Sequence, residues 1–267
     1  MIGITKNDGT TNKRGLGIAH YVWRLGLSEV IGQHRPWIQS WLNQGIRSGP
    51  GRQMDDIIEN LMDDLFDAEE NDENLLGAKI DIAKFFDRCD IKRSVRILSR
   101  LGAPKQLTYL LLNFYEQLRI WVEVNGIVAK DHISPARCLL QGCPGSMLCA
   151  IAEMHVWATS VNVLHPQVEL ACYVDDRLLY APGPDAQECV QDAVATTLRY
   201  DTDAGWEWNE KGEVWSSRTP LQDPLDFQPH VGPEKDHVSM VGITLPVDIA
   251  QRDVAERDSY FTASRKA

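Results

Sequence analysis

The sequence predicts an α+β fold built on an antiparallel sheet, and three observations predict it. Two pairs of β-forming segments meet across turns short enough to force hairpins: Val124-Asn125-Gly126-Ile127, and Val168–Tyr173 with Arg177–Tyr180 around Asp175-Asp176. The run Leu75 to Ile82 (LLGAKIDI) has the length and apolar content of a buried strand. Between these segments lie stretches of helical period, so strands and helices alternate while the hairpins dictate antiparallel neighbours.

Composition narrows the class. In 267 residues, 43% apolar and 24% charged content with only 13 prolines exclude a collagen-like, low-complexity or wholly disordered chain. Lys and Arg number 27 against 38 Asp and Glu, a formal net charge of −11, so any grip on nucleic acid must come from a local cationic patch. The six cysteines include no C-x-x-C pair and read as buried free thiols rather than zinc ligands. The apolar run from Leu148 to Ala158 is interrupted by Glu153 and His155 before it reaches bilayer length, so no membrane span and no membrane partner are expected. The opening MIGITKNDGTTNKRG lacks a secretory pattern, which points to an intracellular chain or a piece of a larger protein, with nucleus and cytoplasm undistinguished.

In chain order, a turn-rich arm precedes a tryptophan-bearing helical stretch from Leu16 to about Trp41 and the glycine-rich turn GIRSGPGR. From Asp55, Ile57, Ile58, Leu61, Met62 and Leu65 recur at three- and four-residue steps, predicting an amphipathic helix that ends in the acidic loop DAEENDEN. The strand at Leu75–Ile82 follows, then helices over about Ile91–Leu101 and Pro104–Leu118, the Asn-Gly hairpin, a helix over Ser146–Val161, the Asp-Asp hairpin and a helix over Asp185–Asp203. No internal repeat or linker is visible.

This order brings acidic residues to strand ends. Asp81 closes the first strand, and Asp175 and Asp176 sit at the tip of the second hairpin, so three carboxylates can meet at one edge of a sheet. Crowded carboxylates repel one another unless a cation offsets them, and hard oxygen donors favour Mg2+ or Mn2+. Two such ions bridging attacking and leaving oxygens are a common solution to nucleotidyl transfer. An Asp-Asp pair in a hairpin is, by itself, ordinary turn chemistry.

Four segments in order, KIDIAKFFDRCD, VNGIVAKDHISPARCLLQGCPGSML, CYVDDRLLYAP and AGWEWNEKGEVW, resemble reverse transcriptases, most closely the non-LTR (LINE-type) retrotransposon enzymes and their group II intron relatives. The resemblance runs from about Lys6 to Leu245. It implies right-hand polymerase fingers and palm with an antiparallel palm sheet, the thumb missing or truncated. Residues 1–74 would then be a fingers-like region, 75–246 the palm with a fingers-type helical insertion at about 91–118, and 247–267 a polar tail. The implied activity is RNA-templated DNA synthesis using two Mg2+ (or Mn2+) ions, an RNA template, a DNA primer and dNTPs, with thumb and endonuclease functions supplied elsewhere.

Residue by residue, the resemblance makes Asp81, Asp175 and Asp176 the metal carboxylates, joined by the backbone carbonyl of Ile82. Tyr173 opens the Tyr-x-Asp-Asp motif beside the substrate, and Phe86 falls where the family sets a ring against the nucleotide sugar, selecting deoxynucleotides, with Phe85 as its core neighbour. Gln141 and Gly142 would line the nucleotide and template site, with Met147 replacing the family's usual proline. Lys6, Lys13 and Arg14 would hold the triphosphate, although the proline that usually follows the arginine is missing. Arg47 and Arg52 would touch the template, and Gly242 belongs to a primer-grip-like segment, Met240 to Thr244. Gly205, Asn209 and Lys211 approximate the fourth motif, with Lys211 one residue early, as a general acid towards the leaving pyrophosphate.

Two further readings stand beside this one. An RNA-dependent RNA polymerase shares the carboxylates, but Phe86 and the Tyr-Val-Asp-Asp sequence weigh against it. A catalytically silent polymerase-like module or decayed retroelement copy would suit the acidic composition and the missing prolines. Trp23, Trp37 and Trp41 are read as core packing, and His155 and His165 are not nominated for chemistry.

Overall fold

Period-two and period-3.6 segments alternate along the chain, and each takes up its expected state with a few instructive exceptions. The computed structural model describes residues 2–5, 13–16, 19–124, 126–209, 212–218, 234–240 and 243–247. Strands β1 (Ile2–Thr5) and β2 (Lys13–Leu16) pair antiparallel and are followed by helices α1 (Tyr21–Gln33), α2 (Arg35–Trp41) and α3 (Asp55–Glu70). Then come β3 (Leu75–Asp81), α4 (Phe85–Arg88), α5 (Ile91–Arg100), α6 (Lys105–Glu116) and the hairpin of β4 (Ile120–Val124) and β5 (Ile127–Ile133). Helix α7 (Pro144–Leu164), the hairpin of β6 (Glu169–Tyr173) and β7 (Asp176–Pro182), and α8 (Ala186–Ala204) lead to β8 (Glu213–Ser216), β9 (Glu234–Lys235), β10 (His237–Met240) and β11 (Ile243–Pro246).

The helix expected from Leu16 to Trp41 divides at His34. Pro36 has no N–H to continue a helix but is tolerated in a first turn, and it sits at the start of α2.

Two compact units emerge, each assembled from three separated segments. One comprises residues 1–42, 84–156 and 204–206, and the other 43–83, 157–203 and 207–267. The first carries 15 Lys and Arg against 8 Asp and Glu, and the second 12 against 30, so formal charges of +7 and −18 underlie the total of −11. The cationic charge is therefore local, as nucleic-acid contact in an acidic chain requires.

The second unit is organised by a five-stranded sheet of order β6-β7-β3-β8-β9, antiparallel except for β8 and β9, which run parallel. Alternation along β3 sends Leu75, Gly77, Lys79 and Asp81 to one face. Helix α3 covers that face with Ile57, Ile58, Leu61, Met62, Leu65 and Ala68, packed with Leu178, Tyr180 and Trp215 of the sheet and with Val238, Met240 and Leu245 of β10 and β11. Gly77 is required there, because a Cβ would lie 2.3 Å from an indole carbon of the fully buried Trp215.

Helix α7 is, by length and composition, apolar enough to cross a bilayer, so Glu153 and His155 do not break it as the sequence suggested. In the fold it is a core helix. Leu148, Cys149, Ala152, Met154, Trp157 and Val161 are all buried, and the enclosed Glu153 carboxylate accepts a hydrogen bond from Ser94 Oγ at 2.8 Å and pairs with Arg93 Nε at 3.2 Å.

Candidate active site

The site grows from the register of β3 against β7. Asp81, the last residue of β3, lies directly opposite Asp176, the first of β7. Directly opposed residues on antiparallel strands have Cα atoms only ~4.5–5.5 Å apart and point to the same face, so two carboxylates are brought side by side. Tyr173, the last residue of β6, faces Asp176 from the other side, half-buried and packed against the sheet core.

Asp175 occupies the two-residue turn with Val174. Val174 takes φ 60°, a left-handed conformation that a β-branched side chain rarely adopts. Two local bonds hold it: the Val174 N–H donates to Ser48 Oγ, and the Cys172 thiol to the Val174 carbonyl, each at 3.3 Å. The loop bearing Ser48 is itself stitched to β6, with the Cys172 N–H donating to the Gly45 carbonyl and the Arg47 N–H to the Cys172 carbonyl, both at 2.8 Å. A Cβ on Gly45 would meet the Leu170 side chain at 2.1 Å, so this close approach requires glycine.

Two groups complete the site: Asn209, which the sequence placed in the fourth motif without a role at the carboxylates, and Lys79, which it did not assign. The Asn209 side-chain amide donates to Asp81 Oδ2 at 2.5 Å while its backbone N–H donates to the Asp81 carbonyl at 3.1 Å, so Asn209 fixes both the strand end and the carboxylate. Neighbouring Ile82 is fully buried and bridged to Trp208. Lys79 shares the face of Asp81 two residues upstream and holds its ammonium 3.6 Å from Asp176 Oδ1. Its position two residues before Asp81 was a signal available in the sequence, since i and i+2 on a strand share a face.

Behind the site, on the opposite face, Arg177 grips Asp201 of α8 with two charge-assisted hydrogen bonds, stacks over Trp157 at 5.0 Å, and leaves Asp201 to accept a third bond from Trp208 Nε1. This network anchors β7 immediately after Asp176.

The two arginines near the turn have defined tasks. Arg52 donates from Nη1 to the carbonyls of Asn43, Gln44 and Ile46, tying the loop, and burial followed by the nearby Arg47 charge lowers its pKa. Arg47 lies 3.8 Å from Asp56 and stays a quarter exposed.

The remaining predicted residues fall in the first unit or outside the described residues. Phe85 is core, packed edge-on against Trp206, whereas Phe86 is half-buried and its carbonyl accepts the Leu139 N–H at 2.6 Å. Gly142 sits in the turn before α7 at φ 84° with open space where a Cβ would be, next to the partly buried Gln141. Lys13 and Arg14 lie on β2; Lys6, Lys211 and Gly242 lie outside the described residues.

Asp81 and Asp176 offer hard oxygen donors of the kind that hold Mg2+ or Mn2+; the first accepts a hydrogen bond from a neutral amide and the second pairs with an ammonium. The donor set therefore fits a small divalent cation. Among the described residues, no three His, Cys, Asp or Glu side chains form a group that could hold a metal ion, so Asp175 does not complete a three-carboxylate cluster here.

A family model for the reverse transcriptase (RNA-dependent DNA polymerase) matches residues 30–242. No protein among those curated for function matches the sequence. Among solved structures, apo telomerase from Candida tropicalis truncated from its C-terminal domain superposes with a TM-score of 0.61 at 11% identity, over 84% of this chain and 44% of that one. Telomerase from Candida tropicalis in complex with the TWJ fragment of telomeric RNA gives 0.61 at 12% identity, over 86% and 38%, and the Candida albicans counterpart 0.51 at 14%, over 87% and 37%. The chain thus spans less than half the length of these structures. At such identities the likeness is one of fold: the fingers and palm of a right-hand polymerase.

Proposed function

The chain belongs to the reverse transcriptase family, and from that premise we propose that it is an RNA-templated DNA polymerase core, of retroelement origin and closest in kind to the LINE-type and group II intron enzymes. The observation that carries the proposal is the pairing of Asp81 with Asp176 at the adjoining ends of β3 and β7, with Asp175 in the turn beside them.

Asp81, Asp175, Asp176 and the Ile82 carbonyl would hold two Mg2+ or Mn2+ ions. Bound there, the ions would supply Lewis-acid stabilisation of the attacking 3′-oxygen of the primer and of the negative charge on the leaving pyrophosphate. Asn209 keeps the Asp81 carboxylate in one orientation, and the Arg177–Asp201 pair keeps β7 in register. Phe86 excludes a ribose 2′-hydroxyl, Tyr173, Gln141 and Gly142 shape the nucleotide and template site, and Lys6, Lys13 and Arg14 bring positive charge to the triphosphate. Lys211 donates a proton to the departing pyrophosphate. In this proposal Arg47 and Arg52 would contact the template and Gly242 the primer, and thumb and endonuclease functions would come from other domains. The +7 charge of the first unit supports an RNA template and DNA primer as partners.

The test is primer extension on an RNA template with Mg2+ or Mn2+, supplying dNTPs or NTPs, with the Asp175→Asn, Asp176→Asn double variant in parallel. Extension with dNTPs that the double variant loses supports the proposal. Extension with NTPs instead makes the chain an RNA-dependent RNA polymerase. A folded protein that extends nothing is a silent polymerase-like binding module, a reading favoured by the lack of a three-group metal cluster among the described residues.

A further inference from the structure

We propose that Lys79 is a displaceable resident cation of the carboxylate site: without a divalent ion it neutralises Asp176, and when an ion binds it transfers its ammonium to Glu213. The inference rests on the metal-binding reading given above and adds the residue that sets the affinity.

Three observations carry it. First, Lys79 lies on the same face of β3 as Asp81, opposite which stands Asp176, and its ammonium goes to Asp176 Oδ1 at 3.6 Å. The sequence alone suggested that these crowded carboxylates need a cation, and the chain supplies one. Second, the Lys79 side chain is only 12% exposed, so it lies largely within the protein, where an acidic partner offsets the cost of its charge. Third, a second acid stands ready. Glu213 of β8 is the direct cross-strand partner of Lys79, on the same face, and its enclosed Oε2 accepts no hydrogen bond from any described residue.

An enclosed carboxylate oxygen without a partner is costly, and a lysine that neighbours two acids while pairing with the one at the chemical end has two places to put its charge. A divalent ion at Asp176 would repel the ammonium at this range. Glu213 then receives it, and the exchange leaves no buried charge uncompensated. Lys79 is accordingly a positioning residue, acting through Asp176 on the metal and touching no substrate.

The test is Mn2+ binding to the whole chain, read from the paramagnetic resonance of the free ion in the absence of template, primer and nucleotide, with thermal unfolding in EDTA and in Mn2+ beside it. Lys79→Met should bind Mn2+ about tenfold more tightly than wild type, the effect of removing one nearby positive charge. It should also be less stable than wild type in EDTA and regain stability in Mn2+. Lys79→Arg, which keeps the charge, should stay near wild-type affinity. Glu213→Gln should bind Mn2+ more weakly than wild type, and this loss should vanish in the Lys79→Met background, which a purely structural or long-range electrostatic role of Glu213 would not produce.

Equal Mn2+ affinity of wild type and Lys79→Met, or an equal effect of Glu213→Gln in both backgrounds, overturns the inference and leaves the metal-binding reading standing. Folded wild type and folded Lys79→Met that both fail to bind Mn2+ overturn the two together.

Discussion

Arg177 and Asp201 form a two-pronged ion pair, with N···O distances of 2.9 and 2.5 Å and neither side chain exposed, one residue beyond Asp176. Because strand residues alternate faces, Asp176 points to the chemical side and Arg177 to the buried side, so the same strand end carries the site and its anchor. Removing one partner of such a pair leaves an uncompensated buried charge, which costs far more than the intact pair contributes. Asp201→Ala should therefore lower unfolding stability by about 3–5 kcal/mol. Urea denaturation measures this, and a loss within ~0.5 kcal/mol, the range of ordinary surface substitutions, would contradict it.

Gly77 provides a second test, independent of charge. Its absent side chain is filled by Trp215, which approaches the site of a Cβ at 2.3 and 2.5 Å, with the Leu179 carbonyl oxygen at 3.0 Å. A methyl group there must displace a fully buried indole or open the β3–β8 pairing, so Gly77→Ala should cost about 1–3 kcal/mol. The shift in thermal midpoint decides it.

How much of this was legible in the sequence depends on the range of the interaction. The strand at Leu75 and the Asp-Asp hairpin were legible because apolar runs and turn residues act locally, and the amphipathic helix beginning at Asp55 because a 3.6-residue period needs no partner. Strand β8 was hidden inside the segment AGWEWNEKGEVW, whose glutamates, lysine and three tryptophans show no clean alternation. The pairing of Asp176 with Lys79 was invisible for a different reason: both residues are plain in the sequence, but their meeting depends on the register of two strands nearly a hundred residues apart. The meeting of Arg177 with Asp201 likewise depends on β7 lying against α8, which no local pattern announces. Arg52, an arginine in a glycine-rich turn, invites a template contact, and nothing local announces that its Nη1 also serves three carbonyls of its own loop.

His155 makes stability depend on mild acid. Its ring packs edge-on against Trp41 at 5.1 Å, and burial lowers its pKa below the ordinary histidine value. The folded state therefore resists a proton that the unfolded chain accepts at about pH 6.5, and unfolding takes up protons below that point. The contribution is complete above about pH 6.5 and is lost as pH falls through the lower folded value. Urea midpoints from pH 7.5 down to 5 should decline for the wild type and decline less steeply for His155→Gln. Parallel slopes would assign the acid sensitivity to other groups.

Asn209 offers a test of the site that leaves the carboxylates in place. Its amide holds Asp81 Oδ2 and its backbone N–H holds the Asp81 carbonyl, but only the first of these bonds is lost in Asn209→Ala. The strand end stays fixed while the carboxylate gains rotational freedom. Outer partners that orient a metal-binding side chain are typically worth about tenfold to a hundredfold in metal affinity or activity. Asn209→Ala should accordingly reduce primer extension by about that factor, with the deficit partly recovered at high Mg2+ because a loosely held ligand still binds when the ion is abundant. Asn209→Asp adds a charge beside Asp81 and should be the poorer rescue of the two at low Mg2+, where the carboxylates must repel one another. Full activity in Asn209→Ala at low Mg2+ would mean that Asp81 is oriented by its strand alone.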